Sequence, residues 1–269
     1  MAKILVTGGA GFIGSNLTEA LLNQGHSVRV LDNFSTGKRE NLAFKEKDVL
    51  LEVIEGDITE REVCQSAMKG AEFVFHEAAL PSVQQSVEDP LTSNRVNVEG
   101  TLNVLLAAKE AGVRRVVYAS SCAIYGDDPV LPKREDMNPQ PLSPYALQKY
   151  IGERYCRLFS QLYRLETISL RYFNVFGPKQ SPKSVYAAVI PLFIDALLRG
   201  RSPVVFGDGE QSRDFVYVED VIQANLLALS SQHHYGDVIN VACGRSLSLN
   251  ELLRILGGLS RKNDVILIQ

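Results

Sequence analysis

Ile4-Leu5-Val6-Thr7-Gly8-Gly9-Ala10-Gly11-Phe12-Ile13-Gly14 decides the fold. A short apolar run, glycines at every third position and a helix-patterned stretch from Phe12 to Asn23 spell strand, tight turn and helix. With no side chain at Gly8, Gly11 or Gly14, backbone amides and the positive end of the helix can face a pyrophosphate. The spacing is G-x-x-G-x-x-G, not the G-x-G-x-x-G of the standard dinucleotide turn. Alone, it is also compatible with a mere strand-to-helix corner.

Outward from that turn, apolar runs bounded by turn residues recur at Ile4 to Val6, Val28 to Leu31, Leu50 to Ile54, Phe73 to Phe75, Arg115 to Ala119 and Thr167 to Leu170. Each reads as a buried strand. Between them lie helix-length segments with apolar residues three and four apart: Phe12 to Asn23, Asn94 to Ala111 and Pro144 to Tyr163. The alternation predicts an α/β fold with a doubly wound parallel sheet of Rossmann type. After about Arg171 the rhythm changes. A helix near Ala187 to Leu198 and short strands around Val204 to Phe206 and Phe215 to Tyr217 predict a smaller lobe that closes over the carboxyl ends of the strands. The division expected is residues 1–173 and 174–269, partly interleaved. The final run, Val265-Ile266-Leu267-Ile268-Gln269, is strand-like with no turn after it, so the lobe reads as incomplete at its C-terminus.

The bulk properties narrow the function. The chain has 269 residues, 45% apolar and 22% charged, with a formal charge of -3, so it can bury a large core and has no field for gripping nucleic acid. Small-molecule partners are expected. Cys64, Cys122, Cys156 and Cys243 are scattered, with no metal-like spacing among themselves or to a histidine. They read as reduced thiols of a cytoplasmic protein, with no metal site. The apolar start is too short for a signal peptide, and no segment approaches the roughly 18 apolar residues of a membrane span.

Two groups of residues carry the chemistry. Asp32 ends the second strand about 20 residues beyond the turn, where a carboxylate can hold ribose hydroxyls. It would repel a 2′-phosphate, which favours NAD over NADP. Asp57, after the third strand, is placed either to accept from an adenine amino group or to cap a helix with Thr59. His76, ending the fourth strand, reads as structural. The second group is Tyr145-Ala146-Leu147-Gln148-Lys149, in which Tyr145 and Lys149 stand one helical turn apart on one face. A cation about 5 Å from a phenol at an effective dielectric of about 20 favours the phenolate by roughly 3 kcal/mol, so Lys149 and an oxidised nicotinamide could make Tyr145 a general base. Ser121, at the end of the fifth strand, can hydrogen-bond the reacting oxygen. Y-x-x-x-K alone is a weak signal; joined to the glycine turn and the strand-end serine it is a strong one.

With these motifs in order, the chain resembles the extended short-chain dehydrogenases/reductases, in particular the nucleotide-sugar 4-epimerases typified by UDP-glucose 4-epimerase. The likeness covers essentially the whole length. It includes Asp32-Asn33-Phe34-Ser35-Thr36-Gly37, Gly56-Asp57-Ile58, His76-Glu77-Ala78-Ala79, Asn97-Val98-Glu99-Gly100-Thr101, Ser120-Ser121-Cys122-Ala123-Ile124-Tyr125-Gly126, Ser143-Pro144-Tyr145, Arg171-Tyr172-Phe173-Asn174 and Arg213-Asp214-Phe215-Val216. The resemblance implies Ser121, Tyr145 and Lys149 as the catalytic set. It implies NAD held by Gly8, Gly11, Phe12, Ile13, Gly14, Asp32, Asn33, Ser35, Gly37, Asp57, Ile58, Ala78, Ala79, Asn97, Tyr145, Lys149 and Tyr172. A UDP-sugar would meet Pro81, Ser121, Cys122, Asn174, Val189, Phe206 and Arg213. The implied reaction inverts carbon 4 through a 4-keto sugar. The helices of 94–111 and 144–163 would form a four-helix seam in a homodimer, although their apolar residues could instead serve only the internal sheet.

Three other readings stay open at this stage. Dehydratases and decarboxylases of nucleotide sugars need an acid or base just after the strand-end serine, where this chain has Cys122-Ala123-Ile124. A glucuronate epimerase would carry an arginine and an aromatic after the fourth strand, where this chain has Pro81-Ser82-Val83-Gln84-Gln85. Pro81 and Cys122 are uncharged and of modest size, so an N-acetylhexosamine could fit as well as a hexose. A protein that binds NAD with little catalysis is the alternative from another class.

Overall fold

The six apolar runs are strands of one parallel sheet in the computed structural model, which describes residues 1–45, 49–181 and 188–260. They are β1 (Lys3–Thr7), β2 (Ser27–Asp32), β3 (Leu51–Glu55), β4 (Phe73–His76), β5 (Arg115–Ser121) and β6 (Glu166–Tyr172). Helices α1 (Phe12–Asn23), α2 (Arg61–Met68), α3 (Val83–Glu88), α4 (Pro90–Asn94), α5 (Thr101–Glu110) and α6 (Pro144–Tyr163) provide the crossovers. The remaining elements are β7 (Asn174–Phe176), α7 (Val189–Leu198), β8 (Ser212–Arg213), β9 (Phe215–Tyr217), α8 (Val218–Ser230), β10 (Asp237–Val241), β11 (Leu247–Ser248) and α9 (Leu249–Ser260).

The sheet order is β3-β2-β1-β4-β5-β6-β10, reversing direction at β1 and β4. A crevice opens where the order reverses, beyond the carboxyl ends of the strands. The strands are apolar on both faces because helices cover both. On one face α1 and α8 bury Leu17, Leu21, Val221 and Ile222 against Ile4, Val6 and Val28. On the other, Met68, Val104, Leu105 and Phe159 of α2, α5 and α6 cover Leu5, Val74 and Val116. Each large aliphatic so buried contributes about 1.5–3 kcal/mol.

Two expectations need correction. The segment 94–111 is not one helix: a π-helical turn, Arg95–Gly100, separates α4 from α5. The wider turn aims Asn97 inward, where its amide bonds both the amide and the carbonyl of Leu80. Val204 to Phe206 forms no strand, because no described strand pairs with it. Beyond Arg171 the chain returns to the large sheet: α8 covers it and β10 joins it parallel to β6, with Asp237 opposite Ile168. The small lobe is left with β7 paired to β9, β8 paired to β11, and a third cluster around Ile190, Phe193, Leu252 and Leu253. The run 265–269 and the start of the helix expected at Ala187 lie outside the described residues.

Candidate active site

The glycine turn is shaped by two different demands. Gly8 has φ +69°, and a side chain there would meet Ala78 N at 2.6 Å; at Gly14 it would meet Gly8 O at 2.2 Å. Both glycines are required by the packing of the turn itself. At Gly11 an added Cβ would meet only Gly8 O, at 3.1 Å, and otherwise point into open space. That opening is the cradle a pyrophosphate needs, and the first turn of α1 has no side-chain cap and no acidic residue to compete for its amides. The residues present therefore fit a dinucleotide.

From the turn a cleft of about 240 Å³ runs along the sheet edge. Gly8, Gly11, Phe12, Ile13, Gly14, Asp32, Asn33, Ser35, Asp57, Ile58, Ala78, Ala79, Pro81, Tyr145, Lys149 and Tyr172 all line it. Asp32 is fixed there by amides: Ala10 N donates to Oδ2 at 2.9 Å and Phe34 N to Oδ1 at 2.8 Å. Each carboxylate oxygen keeps a further lone pair for a hydroxyl. Asp57 accepts from Thr59 N at 2.8 Å, closing a local turn ahead of α2, whose N-cap is Glu60 with no side-chain cap, and from Asn33 Nδ2 at 2.7 Å. Burial opposes its charge, but these hydrogen bonds outweigh it and hold the carboxyl below its usual range.

Gly37 and Asn97 stand behind the wall. A Cβ at Gly37 would crowd Asp32 Oδ1 at 2.9 Å, and Asn97 braces Leu80, next to Pro81. His76 is structural: its ring bonds the Thr7 and Thr101 hydroxyls at 2.7 and 3.0 Å, and burial drives its pKa down to about 3, so it is neutral.

At the far end of the cleft, Ser143 caps α6 by accepting from Ala146 N, and Pro144 occupies the first turn, which starts the helix where Tyr145 faces the sheet. Gly152 sits mid-helix because a Cβ there would strike the Tyr118 hydroxyl at 2.2 Å. That close approach of α6 to β5 lets Lys149 Nζ donate to Ala119 O at 2.7 Å. The same ammonium lies 5.1 Å from the centroid of the Tyr118 ring and 6.0 Å from that of Tyr145. The Ser121 hydroxyl accepts from Ala123 N at 3.2 Å and lies near enough to the Tyr145 phenol to favour its ionised form.

The electrostatics differ from the expectation. Burial pushes Tyr145 up to about 12 despite the opposing influence of the Ser121 hydroxyl, and pushes Lys149 down to about 8. Among the chain's own groups, desolvation outweighs the attraction of Lys149 for a phenolate, because a charged phenol in a dry wall loses more hydration than one distant ammonium restores. Further positive charge is needed to make Tyr145 a base near neutral pH.

The residues expected to meet the sugar nucleotide are less gathered. Asn174 is tied to the Asp214 carbonyl by its backbone and side-chain amides, each at 3.0 Å. Arg213 is exposed with a guanidinium bond to Ser212 O; its charge reaches Cys122, whose thiol burial nonetheless raises to about 11. Val189 opens α7 and is half-buried, whereas Phe206 is 84% exposed and lines no described cleft. Among the cleft residues that the sequence reading missed are two polar ones behind the proton-transfer pair, Glu77 and Ser120. Ser120 donates to Glu153 Oε1 at 2.6 Å, which pairs in turn with buried Arg171 at 2.8 Å. A carboxylate one turn beyond Lys149 on the same helix face was the available signal.

The fold and motifs are shared with known proteins. The sequence profile of the NAD dependent epimerase/dehydratase family matches residues 4–242. The UDP-glucose 4-epimerase of Mycolicibacterium smegmatis is 41% identical over 258 residues, spanning 95% of this chain and 82% of that protein. The UDP-N-acetylglucosamine 4-epimerase of Methanobrevibacter ruminantium, solved with UDP-N-acetylmuramic acid, superposes with a TM-score of 0.94 at 42% identity, covering 100% of this chain and 85% of that one. The Thermus thermophilus UDP-glucose 4-epimerase, solved with NAD, gives 0.88 at 38% identity over 99% and 85% of the two chains. A decarboxylase and a dehydratase of nucleotide sugars also match, at 33% and 32% identity. The chain belongs to the NAD-dependent epimerase/dehydratase family.

Proposed function

We propose that this protein is an NAD-dependent 4-epimerase of a UDP-sugar, acting on the glucose/galactose pair or its N-acetylated counterpart. The observation that carries the reading is that Tyr145 and Lys149, with Ser121 beside the phenol, stand at one end of a cleft whose other end is the glycine turn and Asp32.

Gly8, Gly11, Gly14, Asp32, Asn33, Ser35, Asp57 and Ile58 hold the dinucleotide, and Ala78, Ala79, Tyr145, Lys149 and Tyr172 line the end where chemistry occurs. Bound NAD supplies the hydride acceptor and the positive ring charge that the Tyr145 phenol lacks among the chain's own groups. Tyr145 takes the proton from the hydroxyl at carbon 4, and Ser121 holds that oxygen. Lys149 steadies the phenolate. After the 4-keto sugar presents its other face, carbon 4 takes the same hydride back on that face while Tyr145 returns the proton to its oxygen, so the carbon is inverted without net oxidation. Asn174 and Arg213 face the diphosphate, with Val189, Phe206, Pro81 and Cys122 around the nucleoside and sugar. Elimination is disfavoured because the position after Ser121 offers only the Cys122 thiol, which burial keeps protonated near neutral pH.

The division into residues 1–173 for NAD and 174–269 for the sugar nucleotide, interleaved through α8 and β10, follows the same reading. So does a homodimer in the cytoplasm. Leu147, Leu158 and Leu162 of α6 and Leu91 of α4 leave 47, 43, 66 and 83% of their surface exposed, a stripe suited to a four-helix seam. Among the described residues no helix is long and apolar enough to cross a membrane.

The test is to incubate the purified protein with UDP-glucose and with UDP-N-acetylglucosamine and follow the carbon-4 proton by NMR. Appearance of the galacto epimer without added NAD supports the reading. Loss of water or carbon dioxide, or retained NAD with neither sugar changed, contradicts it.

A further inference from the structure

Glu77 follows β4 directly and lines the cleft beside Lys149. Since His76 is in register with Tyr118, Glu77 comes next to Ala119, the residue whose carbonyl receives Lys149 Nζ. Tyr172, in register with Ser121, reaches back across the end of β5: its hydroxyl donates to Glu77 Oε1 at 2.8 Å and accepts from Asn225 Nδ2 at 2.7 Å. A hydrogen-bonded chain from α8 thus fixes the Glu77 carboxyl at the same strand ends where the Ala119 carbonyl holds the ammonium.

The other groups around Lys149 cannot balance its charge. On α6, both Glu153 oxygens are committed to Arg171 of β6 at 2.8 Å, Tyr145 is a neutral phenol, and burial keeps the Cys156 thiol protonated. On β5, Tyr118 is neutral, burial raising it well above an ordinary phenol; on β4, His76 is neutral. Glu77 alone is a carboxyl bonded to an uncharged partner, Tyr172, with no hydrogen bond to an arginine or lysine among the described residues. Burial pushes it up to about 7, and the charge of Lys149 opposes that rise; burial likewise lowers Lys149, and Glu77 opposes the fall. Two buried opposite charges that each favour ionisation of the other titrate as a pair.

We propose that Glu77 is a positioning residue of the proton-transfer site: its carboxylate is the counter-charge that keeps Lys149 an ammonium in the cleft wall. The inference builds on the reading of Tyr145 and Lys149 as the proton-transfer pair. Ionisation of Glu77 raises the proton affinity of Lys149, and the retained ammonium lowers the free energy of the Tyr145 phenolate.

The test is a pH titration of the Lys149 side chain by NMR in protein labelled with ¹³C-lysine, the resonance being assigned through Lys149→Arg. Wild-type protein is expected to titrate near 8 with a smaller inflection near 7, where Glu77 ionises. In Glu77→Gln, which keeps an acceptor for Tyr172, the inflection disappears and the Lys149 midpoint falls by about one pH unit, a roughly tenfold loss of proton affinity. Glu77→Asp restores part of it. In turnover, the alkaline limb of kcat moves down by the same interval while KM stays. An unmoved Lys149 midpoint and no inflection in the wild type would overturn the proposal and leave Glu77 a packing partner of Tyr172. The titration needs no epimerase activity: a shifted midpoint in a protein that converts no sugar sinks the reaction, and an unmoved one in an active enzyme sinks only the counter-charge.

Discussion

The polar cleft at the sheet edge and the apolar hollow beneath the small lobe hold their walls in different ways. In the cleft of about 240 Å³, polar side chains are fixed by a backbone group or a buried partner: Asp32 by two amides, Lys149 by a carbonyl, Glu77 by the Tyr172 hydroxyl. The hollow, about 1200 Å³ among the described residues, lies between the β6–β10 edge and α9 and is walled by residues such as Leu170, Ile239, Leu252 and Ile255. It contains none of the proton-transfer residues. The smaller space is thus the one built for chemistry, because fixed dipoles rather than volume decide where a proton can be held or moved. Matched substitutions in the two regions should therefore have unequal costs.

The sharpest contrast is in ion pairs. Glu153→Gln leaves Arg171 buried with half a partner and should destabilise the fold by about 3–5 kcal/mol in urea unfolding. Asp195→Asn breaks the more exposed Arg199 pair of the small lobe and should cost about 0–1 kcal/mol. Equal losses would erase the distinction.

Glycines give the next comparison. Gly14→Ala pushes a methyl to 2.2 Å from the Gly8 carbonyl oxygen, so the turn must shift. A loss of about 1–3 kcal/mol is expected, together with loss of NAD from the purified protein. At Gly258 on α9 a Cβ meets nothing within 4 Å among the described residues, so Gly258→Ala should raise stability by up to about 1 kcal/mol. Calorimetry of the two variants reads both signs.

The last comparison concerns acid. His76 has a folded-state pKa of about 3, below the 6.5 of a free imidazole, so the unfolded chain takes up its proton first. Its contribution is present above about pH 6.5 and is lost as pH falls from there towards about 3, with a slope of at most about 1.4 kcal/mol per pH unit. His76→Gln should remove that slope; substitution of the exposed His234 should leave it.

The same contrast explains how far the sequence could be read. The strands 4–6 to 167–170 and the helices Phe12–Asn23 and Pro144–Tyr163 are legible because each carries a complete local signal: apolar period, glycine turn, Ser143-Pro144 cap. Asp32, Tyr145 and Lys149 follow, since strand ends and one helical turn dictate where they stand. Glu77 was not legible as a site residue, because its role depends on Tyr172 reaching across β5, a relation between strands that no local spacing encodes. Beyond Arg171 the signals become short and tertiary. Asp237-Val238-Ile239-Asn240-Val241 is a strand only because the edge of β6 accepts it, whereas Val204 to Phe206, equally strand-like in composition, pairs with no described strand. The acidity of Tyr145 was misjudged for a similar reason: helical spacing gives the distance to Lys149 but not the dryness around it.

The central claim is that one hydride leaves carbon 4 and returns to the same carbon. UDP-glucose carrying deuterium at carbon 4, converted in ordinary water, tests it directly by NMR and mass spectrometry of the product. The account predicts a galacto product that keeps its deuterium at carbon 4, with turnover lowered about 10²–10⁴-fold in Tyr145→Phe. Washout of the deuterium, or undiminished conversion by Tyr145→Phe, would contradict it.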